Sequence, residues 1–173
     1  MQLKGKKVII LAENLYQELE LWVPYYRLKE EGAEVTVVGT GSARSYTGKY
    51  GYPVEVDKEA KEIDLSQYDG VVIPGGYAPD MIRRYPEMLR IVREAYQKGK
   101  VVAAICHAGW VLISAGILKG KKVTGVVAIK DDLINAGANY VDEEIVRDGN
   151  LITSRKPDDL PAFCREIIDA LAK

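Results

Sequence analysis

Val101-Val102-Ala103-Ala104-Ile105-Cys106-His107-Ala108-Gly109-Trp110 passes from an apolar run straight into a helical pattern, with a cysteine at the joint. Five apolar residues in succession fit a strand covered on both faces, the usual condition in a parallel sheet. His107 to Ala115 then reads as a helix stopped by Gly116. A tight turn between strand and helix lifts a side chain above the carboxyl edge of the sheet, where open α/β folds place their sites. Cys106 is therefore a candidate nucleophile at an elbow. The helix that follows would aim unpaired N–H groups at the sulfur and lower the thiol pKa. The small residues Ala104, Ala108 and Gly109 leave room for close approach. The bland alternative is that Cys106 is a small buried hydrophobe, as most free cysteines are. Cys164, on the apolar stripe of the last helix, is read that way.

Outward from this joint the same punctuation repeats. Apolar runs at Lys7 to Ala12, Glu34 to Gly39 and Gly70 to Ile73 read as strands. Helical spacing appears from Glu18 to Glu31, before Gly32, and from Glu87 to Lys98, before Gly99. Tyr46 to Val56, with glycines at 48 and 51, reads as a hairpin or an irregular excursion. Beyond Gly120 the pattern loosens. Lys122 to Val127 is read as a strand and Ala128 to Ala136 as a helix, with strands at Tyr140 to Val146 and Asn150 to Ser154 around Asp148-Gly149-Asn150. Leu160, Phe163, Cys164, Ile167, Ile168 and Leu171 give a clear final helix. Alternating strands and helices predict an α/β fold: a doubly wound, mostly parallel, flavodoxin-like sheet sandwiched by helices. With 173 residues, no repeat and no linker, one domain over residues 1–173 is expected.

Composition narrows the function. The net charge of −1, from 24 basic and 25 acidic residues, removes the electrostatic case for a nucleic-acid or anionic-membrane partner. No apolar run approaches the roughly 18 residues of a membrane helix. No targeting segment is visible, and a reduced cytoplasmic setting is expected. Two cysteines imply no disulfide framework, and a single histidine puts a Cys/His zinc site out of reach. No metal or cofactor is expected.

His107 is a candidate base, although neighbours on a helix do not face one another. Contact with Cys106, exposure to solvent and capping of the turn all remain open. Pro74-Gly75-Gly76 follows a buried strand and could present N–H groups that form an oxyanion hole with the N–H of His107. An ordinary loop is the alternative. Trp110, one turn into a core-facing helix, is read as core packing in preference to lining a pocket with Tyr77.

Many short motifs occur in order along the chain: Glu20-Leu21 through Pro24-Tyr25, Arg27-Leu28-Lys29-Glu30-Glu31-Gly32, Pro74-Gly75-Gly76 with Ala78-Pro79, Ile105-Cys106-His107, Leu112-Ile113-Ser114-Ala115-Gly116, Ile129-Lys130-Asp131-Asp132, Ile134-Asn135-Ala136-Gly137, Asp148-Gly149-Asn150 and Ser154-Arg155. Together they resemble the PfpI intracellular protease family almost end to end. Its superfamily includes the parkinsonism-associated protein deglycase and the class I glutamine amidotransferase domains. The resemblance implies that Cys106 is the nucleophile and His107 its adjacent histidine. It also implies that Glu20 is a buried glutamate near the sulfur, and that Gly75, Gly76 and the His107 N–H form the oxyanion elements. The protease-like members complete a triad with an acid from a neighbouring subunit; the matching position here is Asp80, where Glu is usual. A homo-oligomer is thus implied, a dimer or a larger ring such as a hexamer. Eleven tyrosines against one phenylalanine also suit interfaces.

An ionised Glu20 would repel a thiolate, whereas a protonated carboxyl could donate to it. The alternative is a solvated helix residue, and apolar flanks at Leu19 and Leu21 leave both readings open. The chain departs from the family at Gln17, where an acid is frequent, at Val126, where a tyrosine is frequent, and at Ala108-Gly109, where Gly-Pro is common. These readings predict a cysteine-nucleophile hydrolase or lyase. It would act on small reactive carbonyls or their amine adducts, as a glyoxalase or deglycase, or on peptides. The alternative is a non-enzymatic, oxidation-sensing or chaperone-like stress protein that uses the reactive Cys106. Glutamine amidotransfer is rejected, because no histidine follows His107.

Overall fold

The computed structural model describes residues Met1–Lys173. The chain opens with β1 (Lys7–Ala12), α1 (Glu18–Glu30) and β2 (Glu34–Gly39). A small antiparallel hairpin follows, β3 (Ser45–Thr47) and β4 (Pro53–Glu55), then the two-residue strand β5 (Lys58–Glu59). Next come β6 (Gly70–Ile73), α2 (Ala78–Ile82), α3 (Pro86–Gln97) and β7 (Val101–Ile105). A single 3₁₀ turn over Cys106–Ala108 leads into α4 (Gly109–Ala115). The remainder is β8 (Lys122–Val123), α5 (Lys130–Asn135), β9 (Asn139–Tyr140), β10 (Val146–Asp148), β11 (Leu151–Ser154) and α6 (Leu160–Ala172).

The main sheet has seven strands in the order β10-β11-β7-β6-β1-β2-β5. All pairs are parallel except the β10–β11 hairpin at one edge. From β1 the chain winds to one side through β2 and β5, then returns to the other through β6, β7 and β11. The connections diverge on either side of β1 and β6, which makes the carboxyl ends of these strands the switch point of the sheet. Buried runs explain the order: β6 and β7 are buried at every residue, and β1 at all but its first. Helix α1 packs on α6, and α3 on α4. The apolar stripe of α6 seats Phe163, Ile167, Ile168 and Leu171 in the core. No helix is long and apolar enough to cross a membrane.

The four long strands occupy the residues read from the apolar runs, and the excursion after β2 is a hairpin. Four readings change. The strand expected over Lys122 to Val127 is confined to Lys122–Val123, and the helix expected over Ala128 to Ala136 to a 3₁₀ turn at Val127–Ile129 followed by α5. Tyr140 to Val146 is not one strand. Its start belongs to β9, paired with β8, and its end to β10, paired with β11. The helix read from His107 begins at Gly109, after the 3₁₀ turn.

Candidate active site

Three chain segments converge at the switch point. Cys106 follows β7 with φ of +63°, a left-handed conformation that costs a non-glycine residue on the order of 1–3 kcal/mol. The cost is held by its surroundings: Ile105 ends a fully buried strand, and the Cys106 carbonyl accepts from Val126 N–H at 3.4 Å. The thiol is thereby turned out of the sheet, half-buried rather than packed in the core. That outcome separates it from Cys164, which is buried in α6.

Glu20 comes from the first turn of α1. Gln17 caps that helix, its side chain accepting from Leu19 N–H at 2.6 Å. Glu20 is 0% exposed although Leu19, beside it, is 51% exposed. The helix therefore turns its glutamate inward and a leucine outward, an inversion that no hydropathy pattern predicts. Glu20 Oε1 accepts from Gly75 N–H at 3.0 Å, while Oε2 has no hydrogen-bond partner. Burial pushes the Glu20 carboxyl up to about 7, against the pull of the Gly75 N–H, of Lys49 and of the Cys106 thiol beside it.

The Cys106 thiol is pushed up to about 11 by burial and then by the Glu20 carboxylate, while N–H groups of His107 and Gly76 and the charge of Lys49 pull it down. This corrects the expectation that the elbow alone depresses the thiol. Helix α4 begins three residues too late for its terminus to act, and the donors that reach sulfur are His107 and Gly76. Gly75 also departs from its expected oxyanion role, since its N–H is committed to Glu20. Its lack of a side chain matters more: a Cβ there would lie 2.5 Å from Glu20 Oε1 and 2.7 Å from Cys106 Cβ. Gly76, at φ of +76°, bends the chain back so that Tyr77 N–H bonds the Leu15 carbonyl at 2.8 Å.

His107 and Cys106 do meet. Nδ1 lies 3.3 Å from Sγ. Burial and the charge of Lys49 lower the imidazole pKa, so the ring is neutral at pH 7 and Nδ1 can exchange a proton with sulfur. Trp110 stands edge-on to this ring, with centroids 5.1 Å apart. It is not the core residue expected. It is half-buried, its indole N–H donates to Asp132 at 3.0 Å, and Arg83 lies over its ring. Asp80 is not brought to His107. It sits on α2, ion-paired to Arg84 one turn on. Cys106, His107, Glu20, Gly75 and Gly76 therefore converge within one chain, and Asp80 stands apart.

Sequence reasoning missed Lys49. It lies in the turn of the β3–β4 hairpin, and its charge acts on Glu20, Cys106 and His107 alike. Nothing local ties a lysine in Gly48-Lys49-Tyr50-Gly51 to an elbow so far along the chain. No group of three or more His, Cys, Asp or Glu is placed to hold a metal ion.

The Glu20 shift has a consequence for stability. An acid whose folded-state pKa lies above its unfolded value favours the fold most below the unfolded value, 4.5, and loses that contribution as pH rises to about 7. Above pH 7 the wild type carries a cost of about 3 kcal/mol for the proton lost from Glu20 and the Cys106 thiol beside it. Glu20→Gln keeps an oxygen for the Gly75 N–H and carries no charge. The variant should therefore gain in urea midpoint relative to wild type between pH 5 and pH 8. Parallel pH profiles would show that the Glu20–Cys106 pair does not lose a proton in this range.

Residues 6–170 match the family described as the DJ-1/PfpI family. The deglycase PfpI of Pyrococcus furiosus is 44% identical over 165 residues, covering 95% of this chain and 99% of that protein. A two-domain protein from Anabaena variabilis, with DJ-1/ThiJ/PfpI-like and ferritin-like domains, superposes with a TM-score of 0.94 at 47% identity, over 96% of this chain and 48% of that one. Drosophila melanogaster DJ-1beta gives a TM-score of 0.91 at 29% identity, over 97% of this chain and 91% of its own.

Proposed function

The chain belongs to the DJ-1/PfpI family, and from that premise we propose that it is a cysteine-dependent hydrolase of the deglycase or glyoxalase type, acting on small reactive carbonyls or their amine adducts. The observation that carries this reading is the environment of one sulfur. Cys106 Sγ lies between a raised carboxyl and a neutral imidazole, with two backbone N–H groups directed at it.

The Glu20–Cys106 pair titrates as a unit. Its proton losses fall near 7 and near 11, so between them the pair holds one proton. The donors decide where that proton sits. Sulfur faces two backbone N–H groups, of His107 and Gly76, whereas the Glu20 carboxyl faces one, of Gly75, beside the thiol itself; the Lys49 charge acts on both, and Oε2 has no other partner. Charge-assisted bonds are about twice as strong as neutral ones. The favoured arrangement is a thiolate with a protonated Glu20 whose Oε2–H donates to it. This rescues the thiolate expected from sequence, by a shared proton in place of a helix terminus.

The thiolate attacks a carbonyl carbon to form a hemithioacetal, and the N–H groups of Gly76 and His107, which are aimed at sulfur, are the donors available to the new oxyanion. His107 then relays a proton from solvent to that oxygen, which completes the hemithioacetal. Its second ring nitrogen needs an orienting acid, and Asp80 cannot supply one within its own chain. We assign that role to Asp80 of a second copy in a homo-oligomer, which a solution mass above that of one chain would support. The function is tested by assaying the protein on methylglyoxal, a glycated amine and a fluorogenic peptide side by side. Turnover of a carbonyl substrate is expected. Turnover of none would leave a non-enzymatic role for the thiol.

A further inference from the structure

The backbone at Lys49 is held by a network of hydrogen bonds. Its N–H donates to the Tyr16 carbonyl at 3.0 Å, and Leu15 N–H donates to the Thr47 carbonyl at 2.8 Å. Tyr16 Oη–H reaches across the hairpin to the Tyr52 carbonyl at 2.7 Å. Glu18 grips the turn from beneath, Oε2 accepting from Tyr50 N–H at 2.8 Å and Tyr52 N–H at 3.2 Å. A Cβ at Gly48 would lie 2.4 Å from that same oxygen, so the grip depends on glycine there.

The segment that anchors the hairpin also anchors the loop after β6. Gln17 N–H donates to the Gly75 carbonyl at 3.1 Å, and Tyr77 N–H to the Leu15 carbonyl at 2.8 Å. Hairpin, α1 entry and Gly75-Gly76 loop thus form one hydrogen-bonded unit beside Cys106. The Lys49 side chain is exposed, joins none of the chain's ion pairs, and extends over the Tyr50 ring at 5.2 Å. It is a cation without a carboxylate partner, carried on a backbone bonded to the unit beside Cys106, and its charge acts on Glu20, Cys106 and His107.

The geometry points to Lys49 as a specificity-determining residue that draws carbonyl substrates bearing an anionic group, such as a 2-oxo acid, to Cys106 in preference to neutral ones. The inference rests on Cys106 as the attacking group but not on turnover. A positive charge near a site raises the local concentration of an anion there, and leaves a neutral ligand unaffected. Lys49 positions and selects; it takes no part in the covalent step.

Alkylation of the full chain separates these effects. Iodoacetate and iodoacetamide both transfer a two-carbon unit to the thiolate with loss of iodide, and differ in charge. Their rate ratio at Cys106, read by mass spectrometry, cancels any change in the thiolate population. Lys49→Gln should lower the iodoacetate-to-iodoacetamide ratio about fivefold, Lys49→Arg should restore it, and added salt should lower the wild-type ratio toward that of Lys49→Gln. An unchanged ratio in Lys49→Gln, or a wild-type ratio indifferent to salt, would overturn the inference. Turnover of glyoxylate against methylglyoxal extends the test, and the same preference should fall in Lys49→Gln. Failure of wild type to turn over either compound would count against the proposed function alone, because the alkylation ratio needs only a reactive sulfur.

Discussion

Cys106→Ser should abolish carbonyl turnover, with kcat falling by at least about 10³-fold and the fold retained. The substitution is nearly isosteric, and the strained turn at φ of +63° is imposed by β7 and the loop bonded to it, not by the sulfur. What is lost is ionisation. On the proposed reading, the N–H groups of His107 and Gly76 and the proton of Glu20 hold a thiolate at neutral pH, against burial, because a thiol starts from an ordinary pKa near 8.5. The same donors cannot bring an alcohol into that range. His107 would remain as a base at a serine hydroxyl, without an orienting acid in its own chain. The melting temperature should stay within about 3 °C of wild type, since a change of 1 kcal/mol moves a chain of this size by roughly that much. Retention of more than a tenth of the activity would remove Cys106 from the chemistry.

Gly75→Ala is the second large effect and acts through geometry alone. A Cβ at this position meets Glu20 Oε1 at 2.5 Å, Cys106 Cβ at 2.7 Å and the Ile105 carbonyl at 2.9 Å. None of these is the far end of a free side chain. Ile105 is strand backbone, Cys106 Cβ is one bond from it, and the Glu20 carboxyl is held by the Gly75 N–H itself. Relief requires the carboxyl to leave the sulfur or the loop after β6 to move. Overpacking of this kind costs about 1–3 kcal/mol, and a displacement of about 1 Å at the reacting groups costs about 10²-fold in rate. Activity should therefore fall by at least that factor. Gly149→Ala is the control: its φ is +62°, but open space surrounds the missing Cβ, so it bears backbone strain without touching the site. Equal activity in the two variants would mean that the Gly75 contact does not matter.

The parts of this site that were legible in the sequence are those carried by long, contiguous signals. The runs at Lys7–Ala12, Glu34–Gly39, Gly70–Ile73 and Val101–Ile105 became strands at those residues because burial on both faces demands unbroken apolarity and because glycine, proline or charge closes each run. Once β7 and its joint are fixed, Cys106 follows. Short elements were not legible. The two-residue strands at Lys122–Val123 and Asn139–Tyr140 exist through their mutual pairing, and two residues carry no period. Helix α2 is five residues long, too short to show a stripe, although Pro79 at its start was compatible with one.

Chemistry that depends on distant partners was legible only as residue types. The burial of Glu20 is decided by the loop of Gly75-Gly76 packing over the first turn of α1, not by its apolar neighbours. The commitment of the Gly75 N–H to that carboxyl, the holding of Trp110 by Asp132 and Arg83, and the placement of Lys49 all arise from contacts between segments far apart in the chain. The resemblance to a family supplied roles for Cys106, His107 and Glu20. The structure supplies the contacts through which these roles can be coupled: the Glu20 carboxyl and the Cys106 thiol lie side by side, with the N–H groups of His107 and Gly76 aimed at sulfur.

That coupling is tested most directly by the rate of Cys106 alkylation with iodoacetamide as a function of pH, followed peptide by peptide so that Cys164 serves as the internal reference. The expected result is a Cys106 rate that rises through a midpoint near pH 7, while Cys164, whose thiol burial holds up to about 11, stays unlabelled across the same range. A Cys106 midpoint at 8.5 or above, or equal labelling of the two thiols, would contradict the shared proton and with it the thiolate on which the proposed chemistry depends.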